Sequence, residues 1–246
     1  MIHERLERVR AAMRRHGLDQ IIVTQPQAIY YLTGLWCNPM ERLDALVITE
    51  NCCRMLCYVL AVIEPEQCKV SVYADTGVTV QRLSELLDSG RTGVDGFMGS
   101  RFLLPLMQQR PDLVLSVSSC VEEARMIKTE DEIRRLRRAS EVTDEVFGEV
   151  FSCLREGMTE RELCGILLDC FAQRGVARTS GTPLVSFGEG SADPHHEPCE
   201  NRLKKGDTVW IDVGRRIDGY HSDMTRTVFF GSCSPCPLSA SACSSV

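Results

Sequence analysis

The most constraining stretch of this 246-residue chain runs from Gly206 to Gly231, GDTVWIDVGRRIDGYHSDMTRTVFFG. Val209-Trp210-Ile211 leads into Asp212, and Thr227 to Phe230 closes a second apolar run. Between them, Asp218-Gly219 is a strong hairpin signal, because a primed two-residue turn needs positive φ at both positions. With those two residues as the loop, Ile217 pairs with Tyr220, Asp212 faces Thr225, and Gly214 faces Asp223. Asp212 and Asp223 then become diagonal neighbours on one face, with Cα atoms about 7–8 Å apart. Two carboxylates so placed can converge on a shared divalent cation, or they can simply face solvent at a strand end. An odd loop length would send them to opposite faces. His221, beside Ser222, is expected on the face opposite Asp223 and outside any ligand set.

The length fits one large or two ordinary domains, and a 43% apolar fraction is enough for a core. A net charge of −6 without a basic run argues against nucleic acid as a partner. No apolar run approaches a membrane span, and the charged amphipathic N-terminus has no signal-peptide core. The 13 cysteines are scattered, mostly in apolar segments, as free thiols acting as small hydrophobes. A reducing cytoplasm is the expected location. Cys233 and Cys236 form a lone CxxC with no second ligand pair.

Along the chain, Ile2, Leu6, Val9 and Met13 repeat at helical spacing before Gly17. Strand patterns at 20–24, 45–49, 54–60, 69–73, 92–95 and 113–118 alternate with helical ones at 78–88 and 101–109, and 28–32 reads as a short helix or turn. This predicts an α/β domain with a mostly parallel or mixed sheet. Two capping boxes follow, Thr129…Glu132 and Thr159…Glu162. The first opens a long helix carrying Ile133, Leu136, Val146, Phe147, Val150, Phe151 and Leu154, ended by Gly157. The second opens a helix carrying Leu163, Ile166, Leu167, Cys170 and Phe171, with Gly175 at its C-terminus. The Arg134-Arg135 and Arg137-Arg138 run reads as a solvated helix face. A strand at 184–187 and the loop GEGSADPHHEP at 188–198 precede the hairpin. The Ser/Cys-rich tail after Gly231 is expected to be disordered.

FGEGSADPHHEP, LKKGDTVWIDVG and GYHSDMTRTVFFG together resemble the pita-bread metallopeptidases: Xaa-Pro aminopeptidases, Xaa-Pro dipeptidases and creatinase-like relatives. The segments ERLERVRAAMRRHGLDQIIVTQPQAIYYLTG and VEEARMIKTEDEIRRLRRASEVTDEVF resemble the family's N-terminal domain and its junction. The resemblance implies a creatinase-type N-terminal α/β domain over 1–122 and an incomplete α+β pita-bread domain over 123–231. A non-homologous tail over 232–246 completes the chain. It also implies two divalent ions (Mn, Co or Zn) held by five side chains, of which Asp212 and Asp223 are two. His195 matches the catalytic histidine, although on residues alone it reads first as a loop histidine bonded to a backbone carbonyl. His196 is a weaker substrate-binding candidate. The implied activity is hydrolysis of the bond before proline in a peptide substrate, with a homodimer carried over as the expected assembly.

The family's remaining ligands, a His and two Glu, lie downstream of the second strand, and no His or Glu follows Phe230. The chain is therefore expected to be truncated within its catalytic domain, to bind metal weakly and to be inactive alone. A non-catalytic association module is the alternative, and a creatinase-like C–N hydrolase a third reading.

Overall fold

A computed structural model describes residues 2–59, 68–74, 77–176 and 181–231. The tail expected to be disordered, with Cys233 and Cys236, lies outside them. The chain divides into two compact units, 1–127 and 128–246.

Unit one holds α1 (His3–His16), β1 (Gln20–Val23), α2 (Pro26–Thr33), β2 (Ala45–Thr49), β3 (Cys53–Tyr58) and β4 (Lys69–Tyr73). It continues with α3 (Thr79–Glu85), β5 (Gly90–Val94), α4 (Ser100–Gln109), β6 (Leu113–Val117) and α5 (Cys120–Met126). The sheet order is β4-β3-β2-β1-β5-β6. It is mixed: β2 is antiparallel to β1 and β3, and the other pairs are parallel. The expected α/β domain is present.

The central strands read as unbroken apolar runs because both faces are covered. Leu46 and Ile48 of β2 join a core with Val9 and Met13 of α1, whereas Ala45 and Val47 join Leu83 and Leu106 across the sheet. Gly17 ends α1 in the left-handed conformation, φ 63°. The patterns did not reveal α5. It is seven residues long, and its Cys120, Val121 and Ala124 are buried, all three in the α1 core.

Asp44, immediately before β2, is fully buried. One carboxylate oxygen accepts the Tyr58 backbone N–H at 3.1 Å, and the other has no hydrogen-bond partner among the described residues. Burial pushes its pKa above the ordinary carboxylate value, against the pull of the Tyr58 N–H. A raised pKa means the protonated form suits the fold. The cost is absent below the ordinary pKa and complete once pH has risen through the folded-state value. Asp44→Asn is therefore expected to stabilise unit one by about 1–3 kcal/mol at neutral pH. The gain should shrink toward about pH 4, and urea unfolding at the two pH values reads the difference.

Unit two holds α6 (Glu130–Ser152), α7 (Glu160–Gln173), β7 (Leu184–Phe187), a short 3-10 helix (Gly188–Ala192), β8 (Thr208–Ile217) and β9 (Tyr220–Phe229). Both capping boxes form, with Thr129 and Thr159 accepting the N–H of Glu132 and Glu162. α6 stops at Ser152, capped by Cys153 in right-handed geometry, so Gly157 does not end it. Gly157 instead takes φ 82° in the following loop. Ile133, expected on the apolar face of α6, is 36% exposed. Gly175 does end α7: with φ 74° it allows the Val176 N–H to reach the Phe171 carbonyl, the 6→1 bond of a Schellman turn.

The strand order is β7-β8-β9, all antiparallel. Val146, Phe147 and Val150 of α6 and Leu163, Leu167 and Phe171 of α7 form one core with Val209, Ile211 and Val213 of β8. Among the described residues no helix is long and apolar enough to cross a membrane.

Candidate metal and histidine site

β8 and β9 pair over their whole length, with Asp212 opposite Thr225, Gly214 opposite Asp223 and Ile217 opposite Tyr220. The turn residues Asp218 and Gly219 have φ of 50° and 83°, as a primed two-residue loop requires. Even-numbered residues of β8 thus share a face with odd-numbered residues of β9. That face carries Thr208, Trp210, Asp212, Gly214 and Arg216 beside His221, Asp223, Thr225, Thr227 and Phe229. Odd-numbered Val209, Ile211, Val213 and Arg215 of β8 are buried on the other face.

The hairpin is held from its buried face. Tyr220 Oη donates to Glu132 Oε1 at 2.9 Å, Ser222 Oγ lies 2.7 Å from Thr143 Oγ1, and Arg226 pairs with Asp144 at 2.8 Å. All three partners lie on α6, so the helix fixes the rotation of β9 and with it the direction of Asp223.

On the open face, Asp212 Oδ1 accepts from Thr225 Oγ1 at 2.9 Å. The exposed Asp223 carboxylate makes no hydrogen bond or ion pair among the described residues. A Cβ on Gly214 would sit 3.1 Å from the Ser222 carbonyl oxygen and 4.0 Å from Asp223 Oδ1. The bare backbone there keeps the space beside Asp223 open. Two carboxylates on one exposed face, one of them unengaged, suit a hard divalent cation.

His221 corrects an expectation. It is two residues from Asp223, so the two side chains share a face rather than opposing each other. Partial burial lowers the His221 pKa, Arg216 opposite lowers it further, and Asp223 raises it.

His195 lies on the 188–199 loop. It is exposed, and its backbone N–H donates to Asp193 Oδ1 at 2.9 Å. No contact among the described residues joins it to Asp212 or Asp223. The loop does start on the open face of the hairpin: Ser191 Oγ is 3.3 Å from Thr208 Oγ1, and Thr208 Oγ1 donates to the Gly188 carbonyl at 3.3 Å.

His196 is anchored. Its Nε2 lies 2.7 Å from Glu160 Oε2. Glu160, the first residue of α7, is fully buried, and four groups converge on its carboxylate. Oε1 accepts from Phe187 N–H at 2.9 Å and Asn201 Nδ2 at 3.1 Å, while Oε2 takes His196 Nε2 and Cys199 N–H at 3.0 Å. Burial raises the Glu160 pKa, but the bonds from His196, Cys199 and Phe187 outweigh it and hold the carboxyl below its ordinary value. The sequence reading had missed Glu160. The signal was available: Glu160 stands on the same helical stripe as Leu163, Cys164 and Leu167, and an acid there is buried and needs donors.

A cavity of about 450 Å³ in unit one, lined in part by Thr24, Arg42, Asp44 and Arg101, contains none of these residues.

Comparison with known proteins agrees with the fold. The creatinase/prolidase N-terminal domain family matches residues 5–145, and metallopeptidase family M24 matches residues 134–242. An uncharacterized peptidase of Staphylococcus aureus (strain MSSA476) is 33% identical over 228 residues, 87% of this chain and 62% of that protein. A recombinant prolidase from Thermococcus sibiricus has a TM-score of 0.85 at 28% identity, covering 95% of this chain and 67% of that one. A dipeptidase from Pyrococcus horikoshii OT3 has a TM-score of 0.82 at 30% identity, covering 94% and 66%. The chain thus spans about two thirds of the length of the proteins it matches. It belongs to the creatinase/prolidase family of pita-bread metallopeptidases, with the family's N-terminal domain followed by part of its peptidase domain.

Proposed function

We propose that this chain carries part of the active site of an Xaa-Pro peptidase, an aminopeptidase or dipeptidase that hydrolyses the bond before proline. The observation that supports this best is the hairpin register, which sets Asp212 and Asp223 diagonally on one open face. These two would hold the divalent ions of a dinuclear centre. Such ions supply Lewis-acid polarisation of the scissile carbonyl and an activated water.

The chain's own residues then divide the remaining work. His195, exposed at the loop tip, donates a hydrogen bond to the carbonyl or to the oxyanion developing from it. His196 commits Nε2 to Glu160, which leaves Nδ1 for a substrate contact. Asp212 is oriented by Thr225, and Asp223 by the α6 contacts of its strand.

The resemblance implies five ligands, and Asp212 and Asp223 are the two this sequence supplies. We therefore expect the chain by itself to bind Mn²⁺ weakly and to turn over no peptide. The test combines Mn²⁺ titration with assays on an Xaa-Pro dipeptide and an Xaa-Pro-Yaa tripeptide. Weak Mn²⁺ binding that is lost in Asp212→Ala is the expected result. Turnover lost in Asp212→Ala would overturn the inactivity and keep the peptidase reading. Mn²⁺ binding untouched by Asp212→Ala would overturn the site.

A further inference from the structure

Three potential ligands other than the two aspartates converge in unit two. His196 Nε2 is 2.7 Å from Glu160 Oε2 and 4.0 Å from Cys199 Sγ, and all three donor atoms lie within 4.8 Å of one another. We propose that Glu160, His196 and Cys199 form a second metal site, selective for a thiophilic divalent ion such as Zn²⁺ or Co²⁺.

The separations are close to those of a bound ion. Zinc–nitrogen and zinc–oxygen bonds of about 2.0 Å and zinc–sulfur bonds of about 2.3 Å place tetrahedral ligand atoms roughly 3.2–3.5 Å apart. The His196–Glu160 and His196–Cys199 separations each differ from that range by about half an ångström, and the Glu160–Cys199 separation is no more than 4.8 Å. The surroundings also suit a thiolate. The Asn201 backbone N–H points at Cys199 Sγ from 3.4 Å, and a donor so placed stabilises negative charge on sulfur.

Glu160 is fixed for the task. Phe187 and Asn201 hold Oε1, so Oε2 is the oxygen presented to His196. The site is reachable, because Cys199 is half-buried and the His196 side chain is 21% exposed while Glu160 is sealed behind them.

Proton balance is simple. In the ion-free state His196 Nε2–H donates to Glu160. On binding, the neutral ring takes its Nδ1–H tautomer and Nε2 ligates, so the ring gains and loses one proton. The Cys199 thiol becomes a thiolate. One proton is released to solvent for each ion bound. This site uses sulfur and nitrogen, whereas Asp212 and Asp223 offer only oxygen, so the two should sort metals differently. The proposal stands independently of the peptidase reading.

The test is a Co²⁺ titration of the full chain with Cys233, Cys236 and Cys243 changed to Ser, so that tail thiols add no signal. The expected result is a thiolate-to-cobalt charge-transfer band that saturates at one ion per chain and is displaced by Zn²⁺. It persists in Asp212→Ala. In Cys199→Ser the band vanishes and Co²⁺ affinity falls by about tenfold or more, while circular dichroism stays unchanged. Cys199→Ser is chosen because Glu160 keeps all four of its donors in that variant. Absence of the band in the folded chain, or a band that survives Cys199→Ser, overturns the proposal.

Discussion

Glu160→Ala is expected to destabilise unit two by about 3–5 kcal/mol, the cost of breaking a buried charged network by removing one partner. The carboxylate ties the end of β7 through the Phe187 N–H, the far end of the histidine loop through the Cys199 N–H, and the loop's interior through His196. Alanine would strand four donors. Glutamine tests the charge separately. All four groups are donors as they stand, so an amide NH2 at Oε2 meets the Cys199 N–H head-on, and only His196 can respond, by switching tautomer. Glu160→Gln should therefore lie between wild type and alanine. The pH dependence follows from the depressed pKa: the stabilisation is complete above the ordinary glutamate value and is lost as pH falls through the lower folded-state value. Urea unfolding below and above pH of about 4.3 reads this, and the acid-side slope should flatten in Glu160→Ala. Hydrogen exchange should show residues 188–200 losing protection ahead of the rest of unit two. Unchanged protection there would refute the staple.

Why Glu160 escaped the sequence while Asp212 and Asp223 did not is a matter of range. The two aspartates are linked by a two-residue turn, and strand alternation carries the register outward from it, so eleven residues of sequence separation reduce to local geometry. The same alternation, followed strictly, places His221 beside Asp223. The capping boxes are also local, which is why both helix starts match the structure. Glu160 instead collects donors from positions 187, 196, 199 and 201, which only the folded sheet and loop bring together. Helix α5 escaped for a similar reason: its seven residues are too short to show periodicity, and packing on α1 stabilises them. The end of α6 at Ser152 follows from the turn after Cys153, where no glycine marks the stop. The family's implied His and two Glu have no counterpart in the hairpin's local geometry, so nothing in the described residues could have placed them.

Gly93→Val should strongly destabilise unit one. Gly93 lies on β5 between β1 and β6, paired with Ile21 on one side and Ser116 on the other. A Cβ there would fall 2.7 Å from Ser118 Cβ, 2.8 Å from Leu18 Cδ1 and 3.0 Å from Ile21 Cγ2. Leu18 can swing its end away. Ile21 cannot, because it is β-branched and 1% exposed in the central core, and Ser118 is anchored by its N–H to the Val94 carbonyl. The strand must therefore move, and its neighbours are held on both edges. Overpacking of this kind costs roughly 3 kcal/mol at the upper end of its usual range, and valine's two further methyl groups act in the same direction. Gly93→Ala should cost less but keep the sign. Gly148→Ala in α6 is the control. That glycine is exposed in mid-helix, and its added Cβ would meet nothing within 4 Å. It should stabilise unit two by about 0.5–1 kcal/mol. Urea unfolding of the three variants separates two roles for glycine: at Gly93 the missing side chain makes room for the sheet, and at Gly148 it only weakens the helix. A Gly93→Val chain as stable as wild type would show that β5 does not pack against Leu18 and Ser118 in the way described.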